Sequence, residues 1–343
     1  MPQKIGIIGL PNAGKSTLFE ALTQSEVLIS PTPFSTLSPN KGVSFLKDER
    51  VKKLQEIFHS KEKKEAFFEI VDIAGLVRGA SKGEGLGNEF LSFVRDCDLL
   101  FHVLRAFEKE DVAHPEGRID PIRDYQIVKT ELFLKDIEAV EKRLLKIKKD
   151  VKKGKKEALS EKELLEEFLE DLSKEKIPQK KDPFLPLLSQ IPQIVILNQG
   201  KGYQKDWESF FEKEKIPFLV LNLKEEYEIS KLSLEEKKEL GIKEKLHFLL
   251  KEAKKHLDLI TFFTGNENET RAYLVKKGTS VLEGAEKIHS DFKEKFIKAE
   301  VVSFEKLKEA GSWKIAQKKG FLKIVGKDYL LQEGDVILIK IKK

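Results

Sequence analysis

Cysteine occurs once, as Cys97, and methionine only at position 1. One thiol excludes an intramolecular disulfide framework and a cysteine-rich zinc site. The six histidines are scattered without ligand spacing, so no zinc site is expected. No apolar run approaches the ~20 residues of a membrane span, and no membrane partner is expected. The amino terminus enters an apolar run within a few residues, so no signal peptide is expected and the cytoplasm is the default. Charge of one sign is missing too. Lys+Arg 63 against Asp+Glu 58 leaves +5, which does not by itself imply nucleic acid, and no DNA partner is expected. What the chain does have is bulk: 23 Phe and a 40% apolar share exclude wholesale disorder. At roughly 100–200 residues per domain, 343 residues suggest two or three domains. No tandem repeat is visible, and a monomer is expected.

Five short, nearly continuous apolar runs, at 5–8, 67–73, 99–104, 193–197 and 218–221, have the pattern of parallel strands covered on both faces. Helical stretches at 15–23, 50–58 and 88–96 lie among them, and such alternation predicts an α/β sheet. The series breaks between 104 and 193. There Phe133, Ile137, Val140, Leu144, Ile147 and Val151 follow a 4-3-4-3-4 heptad seam. Gly154 breaks that helix, and Ser160 with Glu163 reads as a capping box before a second stripe of Leu165, Phe168 and Leu172. Two charged helices joined by a basic turn predict an antiparallel helical arm. From about 257 a small mixed β domain is expected, with strands at 271–275, 299–302, 328–331 and 336–341 and a helix at 281–296.

The sharpest local signal is Gly9-Leu-Pro-Asn-Ala-Gly14-Lys15-Ser16, followed by Thr17. It fits the phosphate-loop pattern G-x-x-x-x-G-K-[ST] and falls between an expected strand and helix. Gly9 and Gly14 permit a tight turn whose N–H groups face phosphate oxygens, and the helix start adds its positive end. Lys15 supplies a point charge to the β- and γ-phosphates, and the Ser16 hydroxyl is a Mg²⁺ ligand. Chance alone would put this pattern in a chain of this length on the order of one per cent of the time. Asp72-Ile-Ala-Gly75 closes the second long strand, where Asp72 can hold Mg²⁺ through water and Gly75 can offer its N–H to the γ-phosphate. Between the two motifs, Thr36 is a candidate to complete the Mg²⁺ shell. Leu76 stands where a water-orienting Gln often does, so hydrolysis should be slow. Gly79, Gly83, Gly85 and Gly87 then make a conformationally permissive segment.

These residues resemble the YchF family, the Obg-like ATPases within the translation-factor class of P-loop GTPases. The resemblance is carried by 9–17, 33–40 and 72–88, by His102-Val-Leu-Arg-Ala-Phe107, and by His114-Pro-Glu-Gly-Arg-Ile-Asp-Pro121. Residues 287–292 and 326–335 resemble the family's carboxy-terminal TGS domain. It implies an α/β P-loop NTPase domain (1–126 and 190–257), an inserted antiparallel helical arm (127–189) and a β-grasp TGS domain (258–343). It further implies ribosome association, through ribosomal RNA and proteins, and a preference for ATP over GTP. His114 matches the family histidine that positions the attacking water, so His114 and Lys15 are the catalytic candidates. Asn12, Ala13, Gly14, Lys15, Ser16, Thr17, Gly75, Asn198 and Gln199 are the nucleotide-binding candidates, with Ser16, Thr36 and Asp72 for Mg²⁺.

One departure bears on the base. Guanine readers carry Asn-Lys-x-Asp, and the resembling family tends to N-x-x-E; this chain has Asn198-Gln199-Gly200-Lys201, a cation in place of the acid. A buried donor pair without its acceptor costs about 1–3 kcal/mol per group, which disfavours GTP. Two rival readings stay open, a nucleotide-gated ribosome- or RNA-binding module with incidental hydrolysis and an ordinary GTPase. The basic turn 146–156 could meet ribosomal RNA phosphates, or its lysines could pair with the acidic second helix.

Overall fold

A computed structural model describes residues 2–23, 40–73, 93–109, 111–182, 184–242 and 244–342. Thr36, Gly75, Leu76, the glycines from Gly79 to Gly87 and the start of the expected 88–96 helix lie outside the described residues. The chain forms β1 (Lys4–Ile8), α1 (Lys15–Thr23), β2 (Asn40–Leu46), α2 (Glu49–Phe58), β3 (Glu62–Lys64), β4 (Ala66–Asp72) and β5 (Leu99–Ala106). Then come α3 (Pro121–Lys152), α4 (Lys156–Ser173), β6 (Gln193–Gln199), α5 (Asp206–Lys213), β7 (Phe218–Leu221), α6 (Leu223–Lys231), α7 (Leu234–Glu239) and α8 (Lys245–His256). The last part has β8 (Leu259–Gly265), β9 (Glu269–Lys276), α9 (Val281–Ile288), α10 (Asp291–Glu294), β10 (Phe296–Ser303), α11 (Phe304–Ala310), α12 (Trp313–Lys318), β11 (Lys323–Val325) and β12 (Asp335–Ile341). No helix among the described residues is long and apolar enough to cross a membrane.

Two sheets result, ordered β2-β4-β1-β5-β6-β7 and β11-β10-β12-β8-β9-β3. In the first, β1, β5, β6 and β7 pair in parallel. All eight residues of β5 are buried, which is why its sequence is continuously apolar rather than alternating. The exceptions are His102 and Arg105; His102 is fully buried, its ring 5.5 Å from that of Tyr125 and tilted against it. Burial pushes its pKa down to about 3, so the ring is neutral.

The helical segment differs from expectation at the start of its second helix. The first helix starts at Pro121, ahead of 127, because Asp120 caps it by accepting from Arg123 N–H at 3.1 Å and Pro121 takes the first-turn position. The second starts at Lys156, so Ser160 and Glu163 lie inside it and form no capping box. The heptad seam itself is core: Phe133, Val140 and Ile147 pack on Leu165, Phe168 and Leu172, and Arg143 bonds Glu161. At the turn, Lys155 pairs with Asp150 of the first helix rather than with the acidic second helix.

The described residues group into two compact units. One comprises those of Lys4–Gly42 and Ile70–Lys243, the other those of Met1–Gln3, Val43–Glu69 and Glu244–Lys343. Within the second unit, 43–69 groups with the carboxy-terminal residues for identifiable reasons. β3 pairs in parallel with β9, and the buried Ser60 hydroxyl bonds the Asn266 carbonyl and Thr270. Arg50 bonds Asp48 at 2.6 Å and Glu333 at 2.5 Å, and Lys254 meets the same Glu333 at 2.9 Å. Two expectations for this sheet fail, and one strand was not anticipated. The apolar run 259–265 is strand β8. The helix expected over 281–296 stops at Ile288, because His289 turns extended and Phe296 already belongs to β10. Residues 328–331 contribute one bridge, Leu330 to Ser280, not a strand.

Gly265 ends β8 directly against the Phe58 ring, which is itself 5.9 Å from Trp313. A Cβ there overlaps that ring, and overpacking a filled site costs about 1–3 kcal/mol. Gly265→Ala is therefore expected to lower stability by about that amount in urea unfolding. An unchanged midpoint would show that Phe58 has room to move.

Candidate nucleotide-binding site

The turn between β1 and α1 is held by backbone conformations that few residues adopt. Gly9 has φ 143°, Gly14 φ 105° and Asn12 a left-handed φ of 63°. Side chains at the two glycines would strike the Val103 carbonyl oxygen and the Asn198 amide. The turn opens into α1, whose first turn carries no acidic residue to neutralise its positive end. Such an end is a natural anion site.

Lys15 is buried, and its Nζ donates to the Leu10 carbonyl at 3.0 Å. Burial lowers its pKa, and the charge of Asp72 only partly restores it. Asp72 is shifted the opposite way, raised by burial against the pull of Lys15 and Ser16. Both groups are thus more desolvated than their present partners compensate, the condition of groups that gain from a further charged ligand. Ser16 Oγ donates to Asp72 Oδ2 at 3.3 Å, so the hydroxyl and carboxylate expected at Mg²⁺ lie together. Among the described residues no group of three or more His, Cys, Asp or Glu gathers for a metal. Mg²⁺ beside a phosphate needs none, because it keeps waters and phosphate oxygens around one or two protein ligands. The oxygen pair Ser16–Asp72 fits that ion.

Asn198, at the end of β6, is buried and committed at both ends of its amide. Nδ2 donates to the Ala13 carbonyl at 2.9 Å, and Oδ1 accepts from Leu223 N–H at 3.1 Å. It braces the phosphate loop against the start of α6. Gln199 is only partly buried, in register with Ala106 at the strand ends. Beyond it, the Lys201 carbonyl accepts from Glu108 N–H at 2.7 Å, while the Lys201 side chain is exposed. Asp206, the other acid in this stretch, is the first residue of α5.

His114 is brought to the same end of the sheet by the loop after β5. Its neighbour Ala113 offers a carbonyl that accepts from Asn12 Nδ2 at 3.1 Å and from Arg105 Nη1 at 3.3 Å. The His114 ring does not face outward. Its Nδ1 accepts from Glu116 N–H at 3.1 Å, which puts the proton on Nε2, 2.8 Å from Asp124 Oδ2. The two side chains are 5% and 2% exposed. Arg123 holds the other Asp124 oxygen at 3.0 Å. An open cleft of about 560 Å³ runs past His114, lined by Arg105 at the end of β5, by Lys109 and Arg118 beyond it, and by Gln204 and Trp207 at the start of α5.

The model of the 50S ribosome-binding GTPase family matches residues 4–199, and a YchF-GTPase carboxy-terminal model, described as a protein of unknown function, matches 259–342. The chain is 40% identical to the ribosome-binding ATPase YchF of Bacillus subtilis strain 168, with 97% of each chain covered. It is 35% identical to the protein of that name from Escherichia coli O157:H7, covering 97% of this chain and 98% of that one. The chain belongs to the YchF family. The solved structure of the Schizosaccharomyces pombe YchF GTPase superposes with a TM-score of 0.83 at 31% identity, covering 98% of this chain and 97% of that one. Similarity at that level runs through the P-loop domain and both sheets of this YchF chain.

Three residues of the site escaped sequence reasoning: Arg105, Asp124 and the bracing role of Asn198. Arg105 lies within the quoted 102–107 segment, and a charge on a fully buried strand is itself a signal. Asp124 gave a weaker one, as an acid one turn into a helix opened by Asp120-Pro121. Asn198→Ala would leave the Ala13 carbonyl and Leu223 N–H unpaired, at about 1–3 kcal/mol each. The expected result is a protein destabilised by that order with weaker nucleotide binding, read by chemical unfolding and by nucleotide titration. Unaltered binding would show that the loop keeps its shape unaided.

Proposed function

We propose that the chain is a ribosome-associated P-loop NTPase that binds ATP with Mg²⁺ in preference to GTP, hydrolyses it slowly, and acts as a nucleotide-dependent switch in translation or the stress response. The observation that carries this reading is the convergence of Lys15, Ser16 and Asp72 at the amino-terminal end of α1. The relatives' name, ribosome-binding ATPase, supports the partner and the reaction. A ribosome partner supports a cytoplasmic location.

In this reading the N–H groups of Asn12 to Thr17 receive the phosphates. Lys15 leaves the Leu10 carbonyl for the β- and γ-phosphates, and its charge stabilises the transferring group. Ser16 and Asp72 hold Mg²⁺, with Thr36 as a further ligand and Gly75 toward the γ-phosphate; bound there, the ion neutralises phosphate charge. Water is oriented by His114 rather than by residue 76, since Leu76 has no polar atom. The engagement of both His114 nitrogens fits slow basal turnover. The helix pair α3–α4 serves as the inserted arm, with the exposed lysines near 146–156 for ribosomal RNA phosphates. The carboxy-terminal sheet, with α9 packed on it, is read as a TGS domain.

Lys15→Ala and Ser16→Ala are expected to abolish turnover while leaving thermal unfolding nearly unchanged. Near-normal phosphate release by either variant would sink the assignment.

The base preference is tested separately. Guanine brings two donors to a place where this chain has Lys201, whereas adenine's one donor can use a backbone carbonyl near Asn198-Gln199. ATP is expected to bind about tenfold more tightly than GTP, about 1.4 kcal/mol, in paired titrations of their analogues. Lys201→Asp should move the preference toward GTP. Tighter GTP binding by the unmodified chain would overturn this reading of the base pocket.

A further inference from the structure

The His114 ring has both nitrogens engaged: Nδ1 accepts from Glu116 N–H and Nε2–H donates to Asp124. A ring in that state has no lone pair or proton to offer a water. The acceptor is not a casual neighbour. Asp124 is 1% exposed, sits in the first turn of α3, and is pinned through its other oxygen by Arg123 Nε at 3.3 Å and Nη2 at 3.0 Å. Arg105 is the further cation near it, and its guanidinium spends its donors on the carbonyls of Phe107, Lys109 and Ala113. The carboxylate is therefore fixed, and the histidine is the movable partner.

A path from the phosphate loop to this bond is also on hand. Asn12, strained at positive φ inside that loop, donates to the Ala113 carbonyl, one residue before His114. A phosphate that draws on the loop's N–H groups competes with the conformation that holds Asn12 against Ala113.

We propose that Asp124 is a positioning residue that latches His114 in an inactive, Nε2-protonated resting state, and that the bond must break before His114 can orient the hydrolytic water. The inference rests on the His114 role given above. It adds that slow basal turnover is set by this latch and not only by the missing glutamine.

The test has a spectroscopic arm and a kinetic arm. In ¹⁵N NMR of the nucleotide-free full chain, His114 should be the Nε2–H tautomer, and adding Mg²⁺ with the non-hydrolysable analogue AMPPNP should change its ring signals. A Nδ1–H tautomer at rest, or signals unmoved by AMPPNP, overturns the proposal. In single-turnover phosphate release, Asp124→Ala should be faster than the unmodified chain by about tenfold, equivalent to about 1.4 kcal/mol of barrier, at unchanged ATP affinity. Asp124→Asn, which keeps an acceptor oxygen but loses the charge, should fall between. Asp124→Ala/His114→Ala should drop to the level of His114→Ala alone. A folded Asp124→Ala protein no faster than the unmodified chain overturns the latch while the catalytic role of His114 stands. Full turnover by His114→Ala overturns both. Should Asp124→Ala fail to fold, the NMR arm on the unmodified chain decides.

Discussion

A phosphate loop has to present unpaired N–H groups to an absent anion without collapsing onto them. Collapse is prevented here by one buried amide. Asn198 fills the space beside Gly14, takes the Ala13 carbonyl with its Nδ2 and meets an orphan N–H at the start of α6 with its Oδ1. An unsatisfied helix start is a standing need of any helix. The same bond that meets it for α6 fixes the loop for α1. Lys15 completes the closure by reaching back to the Leu10 carbonyl, a single neutral acceptor that leaves its desolvated charge without a counter-ion in direct contact among the described residues.

That dependence explains which parts of the site were legible in the sequence. Residues whose role is set by local backbone chemistry, Gly9, Gly14, Lys15 and Ser16, could be read because their spacing is the mechanism. Asp72 could be read because it ends a strand at a set distance beyond them. Asn198 was visible as a candidate, yet its partners lie 185 and 25 residues away, and no local pattern reveals bonds of that span. For His114, position in the sequence marked a loop histidine and only the family resemblance suggested a role. The orientation of the ring followed from a Glu116 N–H and an Asp124 carboxylate that neither could supply.

The fold divides the same way. The parallel strands β1, β4, β5, β6 and β7 announce themselves by continuous apolar runs, and the heptad seam of α3 by its spacing. The strands β3 and β11 did not, for they are three residues long and carry little apolar pattern. Charged edges such as Glu62–Lys64 are stabilised by pairing with β9 and by Ser60, not by burial of their own side chains. The compact unit containing β3 could not be inferred either, since its bonds, Arg50 with Glu333 and Ser60 with Asn266, join residues more than 200 positions apart. The break of the expected 281–296 helix at His289 is subtler. The apolar stripe continues into Phe292 and Phe296, but Phe296 is already paired with Ile341 in the antiparallel ladder of β10 and β12.

The loop after β5 joins these considerations to the chemistry. A loop of this length needs its backbone carbonyls satisfied, and Arg105 meets three of them with one guanidinium, stacked 4.9 Å from the Phe107 ring. The carbonyl it shares with Asn12, that of Ala113, lies next to His114. A donor from the phosphate loop and a donor from the end of β5 thus meet at one oxygen atom beside the histidine. A carbonyl has two lone pairs, and here both are used by donors from different elements. Moving either donor changes the strength of the other bond, because two donors on one acceptor compete for the same electron density. The phosphate loop braced by Asn198 and the loop held by Arg105 are therefore joined through one shared hydrogen-bond acceptor, next to His114.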